Sequence, residues 1–214
     1  MKVLSLNISS LKTIVYNGKE EKTGYFKTSV DEPISLQFEG VKNDSVEDHL
    51  HHGGKDKACY IYSFDHYTFW ENLYPNLDWN FGMFGENITV ENLNEAEIKI
   101  GDIYKVGTAM VQVSQPRQPC YKLGIKFGSQ KMVNEFRKSS FPGVYLRVLE
   151  EGFVNKNDEF NLIKTNENAL TVLQVFQLIY ATNPKKEMLE IALSDNNLAE
   201  NVKNYLKNKK LNHQ

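Results

Sequence analysis

The apolar residues of this chain change period near Ile163, and that change limits the folds open to it. Before Ile163 they recur at every second position in short runs. Leu4, Leu6 and Ile8 alternate with Ser5 and Asn7, and Ile34, Leu36 and Phe38 alternate with Ser35 and Gln37. A period of two is the mark of a strand with one face buried. Further strands are predicted at Ala58–Ser63, Ile88–Val90, Ile103–Val106, Met110–Ser114, Val144–Leu149 and Glu159–Ile163, with Gly101-Asp102, Gly107-Thr108 and Glu151-Gly152 as breaks. Many short strands at such spacing predict a barrel or a folded-over antiparallel sheet. Two helices interrupt it: Phe64–Tyr74, capped by Ser63 and burying Tyr67, Trp70 and Tyr74, and Gln130–Lys138, capped by Ser129 and burying Met132, Val133 and Phe136.

Beyond Ile163 the period becomes helical. Thr171 and Gln174 have the spacing of a capping box, and Val172, Val175, Phe176, Ile179 and Tyr180 share the face that follows. Asn183-Pro184 opens a second helix with proline at its first position. A third runs from about Asn197 through Leu198, Val202, Tyr205 and Leu206. Isolated helices this short are marginal in water, so they must pack on each other, on the β-module or on a second subunit. The expected class is therefore mainly β with α additions: a β-barrel over 1–165 and a three-helix segment over 166–214. The helical segment has no cluster of reactive side chains, which predicts a packing or homodimer-forming role.

The 214 residues are 41% hydrophobic and 24% charged, enough for one substantial core without disulfides. The net charge of -2 and pI of about 6.2 offer nothing to nucleic acid or to an anionic membrane. The lysines from Lys203 to Lys210 are interrupted by Tyr205, Leu206 and asparagines, and read as a solvated helix face. The opening MKVLSLNISS lacks the apolar core of a signal peptide, and no stretch approaches the roughly 20 apolar residues of a membrane span. A cytoplasmic protein is expected, with Cys59 and Cys120 as free thiols.

Three polar clusters are candidates for chemistry. The first, His49-Leu50-His51-His52-Gly53-Gly54-Lys55-Asp56-Lys57, precedes a strand. Paired glycines let the backbone turn sharply and approach a ligand, and the exposed amides with Lys57 suit an anion. An ordinary polar loop is the plainest alternative, and a zinc site a lesser one because the spacing of the histidines is poor for zinc. The second, Phe84-Gly85-Glu86-Asn87-Ile88, offers Asn87 as donor and acceptor for a heterocycle edge, or as a turn residue. The third, Ser114-Gln115-Pro116-Arg117-Gln118-Pro119-Cys120, has two prolines that remove N–H donors and predict a rigid loop rather than a central strand. Such a loop presents Arg117 as an anion clamp and Cys120 as a nucleophile or soft metal ligand; a buried inert thiol is the plainer alternative. Cys59, inside Ala58-Cys59-Tyr60-Ile61-Tyr62, reads as core filler.

Taken in order, these clusters resemble the MOSC family, named for the C-terminal module of molybdenum cofactor sulfurases. The similar stretches are His51-His52-Gly53-Gly54 with Lys57-Ala58, Phe84 to Asn87, Ile100-Gly101-Asp102, Val113 to Cys120 with Lys122-Leu123, and Gly143 to Leu149. Thr171-Val172 opens what resembles the three-helix tail of the hydroxylaminopurine-resistance branch. Asn43-Asp44 departs from the Gly-Asp expected ahead of the His-Gly-Gly loop, though asparagine tolerates left-handed geometry.

The resemblance implies a MOSC-type β-barrel holding a molybdopterin-type molybdenum cofactor, with Cys120 as the protein ligand to molybdenum. His51, Gly53, Gly54, Lys57, Asn87 and Arg117 would bind the cofactor, and His52 would donate a proton because imidazole titrates near neutrality. The implied reaction removes the hydroxyl oxygen of a small N-hydroxylated substrate, a hydroxylaminopurine, hydroxylamine or amidoxime. It needs two electrons per turnover. No flavin, haem or iron–sulfur motif is visible, so a separate electron-donating reductase, expected to contain a flavin, is implied. The alternative is a sulfur carrier or cofactor-handling protein with a persulfide on Cys120.

Overall fold

A computed structural model describes residues 1–45 and 53–211. The candidate histidines His49, His51 and His52 lie outside the described residues.

The frame is a mixed eight-stranded sheet whose edge-to-edge order scatters strands from all along the sequence. Its members are β1 (Lys2–Ile8), β4 (Thr28–Val30), β7 (Cys59–Ser63), β8 (Ile88–Glu91), β9 (Ile103–Val106), β10 (Ala109–Pro116), β11 (Val144–Glu150) and β13 (Asn161–Lys164), ordered β13-β9-β10-β11-β7-β8-β1-β4. All pairs are antiparallel except β7 with β8. A parallel pair needs a long crossover, and α1 (Tyr67–Leu73) lies within that connection. The sheet curls into a half-barrel. Beyond β4's reach, the first residues of β1 bond instead to the approach to β13: Val3 N donates to Asp158 O at 2.9 Å and Phe160 N to Met1 O at 2.9 Å. The expected barrel is therefore present as a curled open sheet whose far edges are laced through the 157–160 segment.

Two smaller sheets sit beside it. β2 (Lys12–Tyr16) and β3 (Lys19–Thr23) form a hairpin about Asn17 and Gly18, both at positive φ. β5 (Ile34–Gln37) pairs with β6 (Gly40–Val41) and with β12 (Gly152–Val154).

The expected loop at Ser114-Gln115-Pro116 needs correction. β10 runs on to Pro116, which pairs with Val144 in the middle of the sheet. The prolines do not forbid this, because β9 pairs only with Ala109 to Gln112 and leaves the other side of Pro116 without a strand. A register shift between Val113 and Gln115 turns the end of the strand toward the site.

The helix starts also differ. Ser63 Oγ accepts from Asp65 N and caps a 3-10 turn, Phe64–His66, before α1 begins at Tyr67. A six-residue helix, α2 (Tyr121–Lys126), follows Cys120 directly. Beyond it α3 (Lys131–Lys138) buries Met132, Val133 and Phe136 as expected.

In the tail, α4 (Val172–Tyr180) has both arms of the Thr171–Gln174 capping box. α5 (Lys186–Ser194) starts two residues after Pro184 rather than on it, and α6 is Glu200–Leu211. Val175, Phe176, Ile179, Leu198, Val202 and Leu206 are all buried against this same chain, at most 3% exposed. Except for Phe176, which joins an aromatic cluster, they belong to one core shared with the sheet. Burying each is worth about 1.5–3 kcal/mol.

Gly101 sits where the tail meets the sheet. Its φ is +88°, and a Cβ there would lie 2.7 Å from Asn197 Nδ2. Gly101→Ala is accordingly expected to destabilise the protein by about 1–3 kcal/mol, read as a lower urea midpoint; an unchanged midpoint would show that the tail does not seat against this turn.

Candidate functional site

A cleft of about 750 Å³, counted out to its open mouth, lies where the end of β10, the Gly53–Lys57 turn, the Phe84–Asn87 turn and the loop after β3 converge. Gly53, Lys57, Asn87, Arg117 and Cys120 all line it, although they come from separate parts of the sequence. Gly54 lies beside it at φ +85° and ψ 169°, a conformation open essentially to glycine alone.

Arg117 dominates the electrostatics. It is only 3% exposed. Nη2 donates to Tyr25 Oη at 3.0 Å, and the guanidinium lies over the rings of Phe136, Tyr60 and Tyr25 at 5.1, 5.4 and 5.5 Å. Among the described residues no carboxylate pairs with it. Burial works against its charge, yet a guanidinium is too basic to lose its proton here, and its pKa is raised rather than lowered by the groups around it, so it stays protonated. Two buried side-chain polar atoms lack a hydrogen-bond partner among the described residues, Gln115 Oε1 and Arg117 Nη1, and both belong to the segment leading into Cys120. Unsatisfied buried donors are rare in folded proteins, and a guanidinium in a cleft wall has the chemistry to bind an anion.

Cys120 and Cys59 are both free thiols in contrasting places. Cys120 is partly exposed at the cleft, immediately before α2. Cys59 is fully buried in β7, and burial pushes its thiol well above the usual range. Only Cys120 is accessible for chemistry. Among the described residues no group of three His, Cys, Asp or Glu side chains could hold a metal ion. Among the described residues, then, Cys120 is a lone soft ligand at the cleft, suited to a metal that brings other ligands with it.

Asn87 is held in the cleft wall. Its Nδ2 donates to Asp44 Oδ2 at 2.8 Å and its Oδ1 accepts from Tyr60 N at 3.2 Å, so both ends of the carboxamide already have protein partners. Asp44 also accepts from Ser9 N and Ser9 Oγ and forms a buried ion pair with Lys27. Asn43, just before it, is left-handed at φ +65°, so asparagine supplies the backbone that glycine was expected to supply.

Sequence reasoning missed several of these residues. Lys27 and Asp44 are 17 positions apart and Tyr25 carried no spacing signal, while Asp44 and Lys122 were noticed only as parts of matching stretches, without a role. Glu86 was inside a recognised motif but its part was not evident. Fully buried, its carboxylate accepts from Gly82 N, Phe84 N, Thr89 Oγ1 and the Tyr67 hydroxyl, and so fixes the Phe84–Asn87 turn. Burial raises its pKa despite those donors.

Comparison with known proteins bears on the family and the fold. The MOSC domain family model matches residues 48–161. The uncharacterized protein YflK of Bacillus subtilis is 38% identical over 198 residues, covering 92% of this chain and 89% of that protein. A Gibberella moniliformis protein named "Reductase" is 33% identical over 176 residues, which is 80% of this chain but 31% of that longer protein. The crystal structure of YiiM from Geobacillus stearothermophilus superposes with a TM-score of 0.81 at 29% identity, covering 97% of both chains. The chain belongs to the MOSC domain family and is YiiM-like along nearly its whole length.

Proposed function

We propose that the cleft binds a molybdenum cofactor and that the protein reduces N-hydroxylated compounds, such as hydroxylaminopurines, hydroxylamines and amidoximes, to amines and amidines. The observation that carries this reading is the buried guanidinium of Arg117, which among the described residues has no carboxylate partner and an unpartnered Nη1, in the cleft that also holds the accessible thiol of Cys120. An anionic, metal-bearing pterin is chemically matched to that pair: phosphate to a guanidinium, a soft metal to a thiolate. Membership of a family related to molybdenum cofactor sulfurases supports it, as does the name of the fungal relative.

When bound, the cofactor supplies the two-electron chemistry that breaks the N–O bond. The chain's own residues do the rest. Cys120 offers the single protein ligand, Arg117 holds negative charge, and the Gly53–Lys57 turn offers backbone amides beside the cleft. The Tyr25 phenol, which burial keeps protonated, holds a proton at Oη next to Arg117. The aromatic cluster beneath Arg117, built on Tyr60, Phe84 and Phe136, keeps water away from that side and strengthens every charge interaction in the cleft. Electrons come from a separate reductase.

Protein purified from a host that makes the cofactor is expected to contain about one molybdenum per chain and to release a fluorescent pterin on oxidation. Metal-free protein carrying cyanide-labile sulfur on Cys120 would instead identify a sulfur carrier and overturn the reading.

A further inference from the structure

The C-terminal helices reach the cleft from behind through the turn Asn197–Ala199, between α5 and α6. Ala199 N donates to Ser114 O at 3.1 Å, three residues before Arg117. Asn197 O accepts from Arg147 Nη2 at 3.3 Å, and Asn197 Oδ1 accepts from Gln112 Nε2 at 3.2 Å. One turn of the tail thus bonds to both β10 and β11.

Arg147, on β11, carries the connection forward. Its Nε and Nη2 lie 2.7 and 2.6 Å from Asp56 Oδ1, and its Nη1 donates to Gln112 Oε1 at 2.6 Å. Asp56 belongs to the Gly53–Lys57 wall of the cleft, and its carbonyl accepts from Ser114 Oγ at 2.6 Å. Each side chain of the ion pair is 19% exposed, so the pair is shielded from much of the screening that weakens surface pairs. The wall gains little from apolar burial. Its short 3-10 turn, Lys55–Lys57, has no buried residue, and two glycines precede it. Without apolar burial, the order of such a segment depends on its polar ties.

We propose that Arg147 is a positioning residue through which the C-terminal helices hold the Gly53–Lys57 wall, so that the tail governs retention of the cleft's ligand without touching it. The link to retention rests on reading that cleft as the cofactor site; the link to order of the wall does not.

Hydrogen exchange on the full chain tests the first part without any cofactor. In Arg147→Met, the amides of residues 53–57 should exchange at least about 10-fold faster, with those of Cys59–Ser63 unchanged. Asp56→Asn, a change in a partly exposed turn that the fold should tolerate, should do the same. Combining the two should add little to either alone, because both break one link. Arg147→Lys keeps the charge but cannot span Asp56, Gln112 and Asn197, and should fall between. Unchanged exchange at 53–57, or acceleration spread evenly over all strands, would overturn the proposal. In cofactor-loaded protein, Arg147→Met should release molybdenum about 10-fold faster, and an unchanged release rate would overturn the link to retention. Should the chain carry no molybdenum, the cofactor reading falls, while the exchange result still decides whether the tail braces the wall.

Discussion

Cys120→Ala is expected to remove N-hydroxylamine reduction entirely, with reduced dye as electron source, and to leave the fold intact. The thiol is partly exposed at the cleft, so losing one sulfur there creates no cavity in the core. Molybdenum content should fall with activity, since the described residues offer no other cluster to hold the metal. Cys59→Ala should behave in the opposite way: a stability loss of about 1 kcal/mol from a smaller side chain in a fully buried site, with turnover unchanged. Equal activity in wild type and Cys120→Ala would sink the assignment of Cys120 as metal ligand.

Arg117→Met separates binding from folding even more sharply. A buried cation with no carboxylate partner among the described residues is poorly compensated, and an apolar side chain of similar length often stabilises such a position. Cofactor-free Arg117→Met should therefore melt at or above the wild-type temperature. Its hold on the anionic cofactor should drop by about 2–5 kcal/mol, the usual consequence of removing one partner from a buried charge pair, or on the order of 10²-fold and more in affinity. Arg117→Lys should recover only part of this, because an ammonium keeps the charge but loses the planar fork and its stacking over Tyr25, Tyr60 and Phe136. If Arg117→Met lowers stability and leaves cofactor content untouched, Arg117 serves packing and not binding.

Where apolar periodicity was strong, the sequence was a good guide to the fold. β9 ends where alternation predicted, β8, β10 and β11 differ by a few residues at most, and both arms of the tail's capping box are present. The elements that escaped were those whose residues face solvent or owe their shape to distant partners. Lys12–Tyr16 and Lys19–Thr23 are largely exposed and show no alternation of apolar with polar residues, so the Asn17-Gly18 turn between them passed without a strand on either side. The helix after Cys120 is only six residues long with Gly124 inside it, too short for a helical period to show. Pro116 misled because its tolerance depends on where β9 stops, which no local rule contains.

The site divides in the same way. Arg117, Cys120 and the double glycine announced themselves through residue chemistry. The occupation of Asn87 by Asp44 and Tyr60, and of Asp44 by Lys27, depends on a fold that joins positions 17 to 43 residues apart.

The lacing of β1 to the 157–160 segment sets a timetable for synthesis. A ribosome adds about 5–20 residues each second, so Met1 and Val3 wait roughly ten seconds or longer for the partners that complete their hydrogen bonds. Until then β1 can lean only on β4 and β8, and half of its backbone presents an unpaired edge to other chains. Contacts of such long sequence separation also slow the final step of folding. Newly made chains should accordingly be more vulnerable to aggregation than the finished protein, and overproduction in the cold, which weakens apolar association between them, should raise the soluble yield.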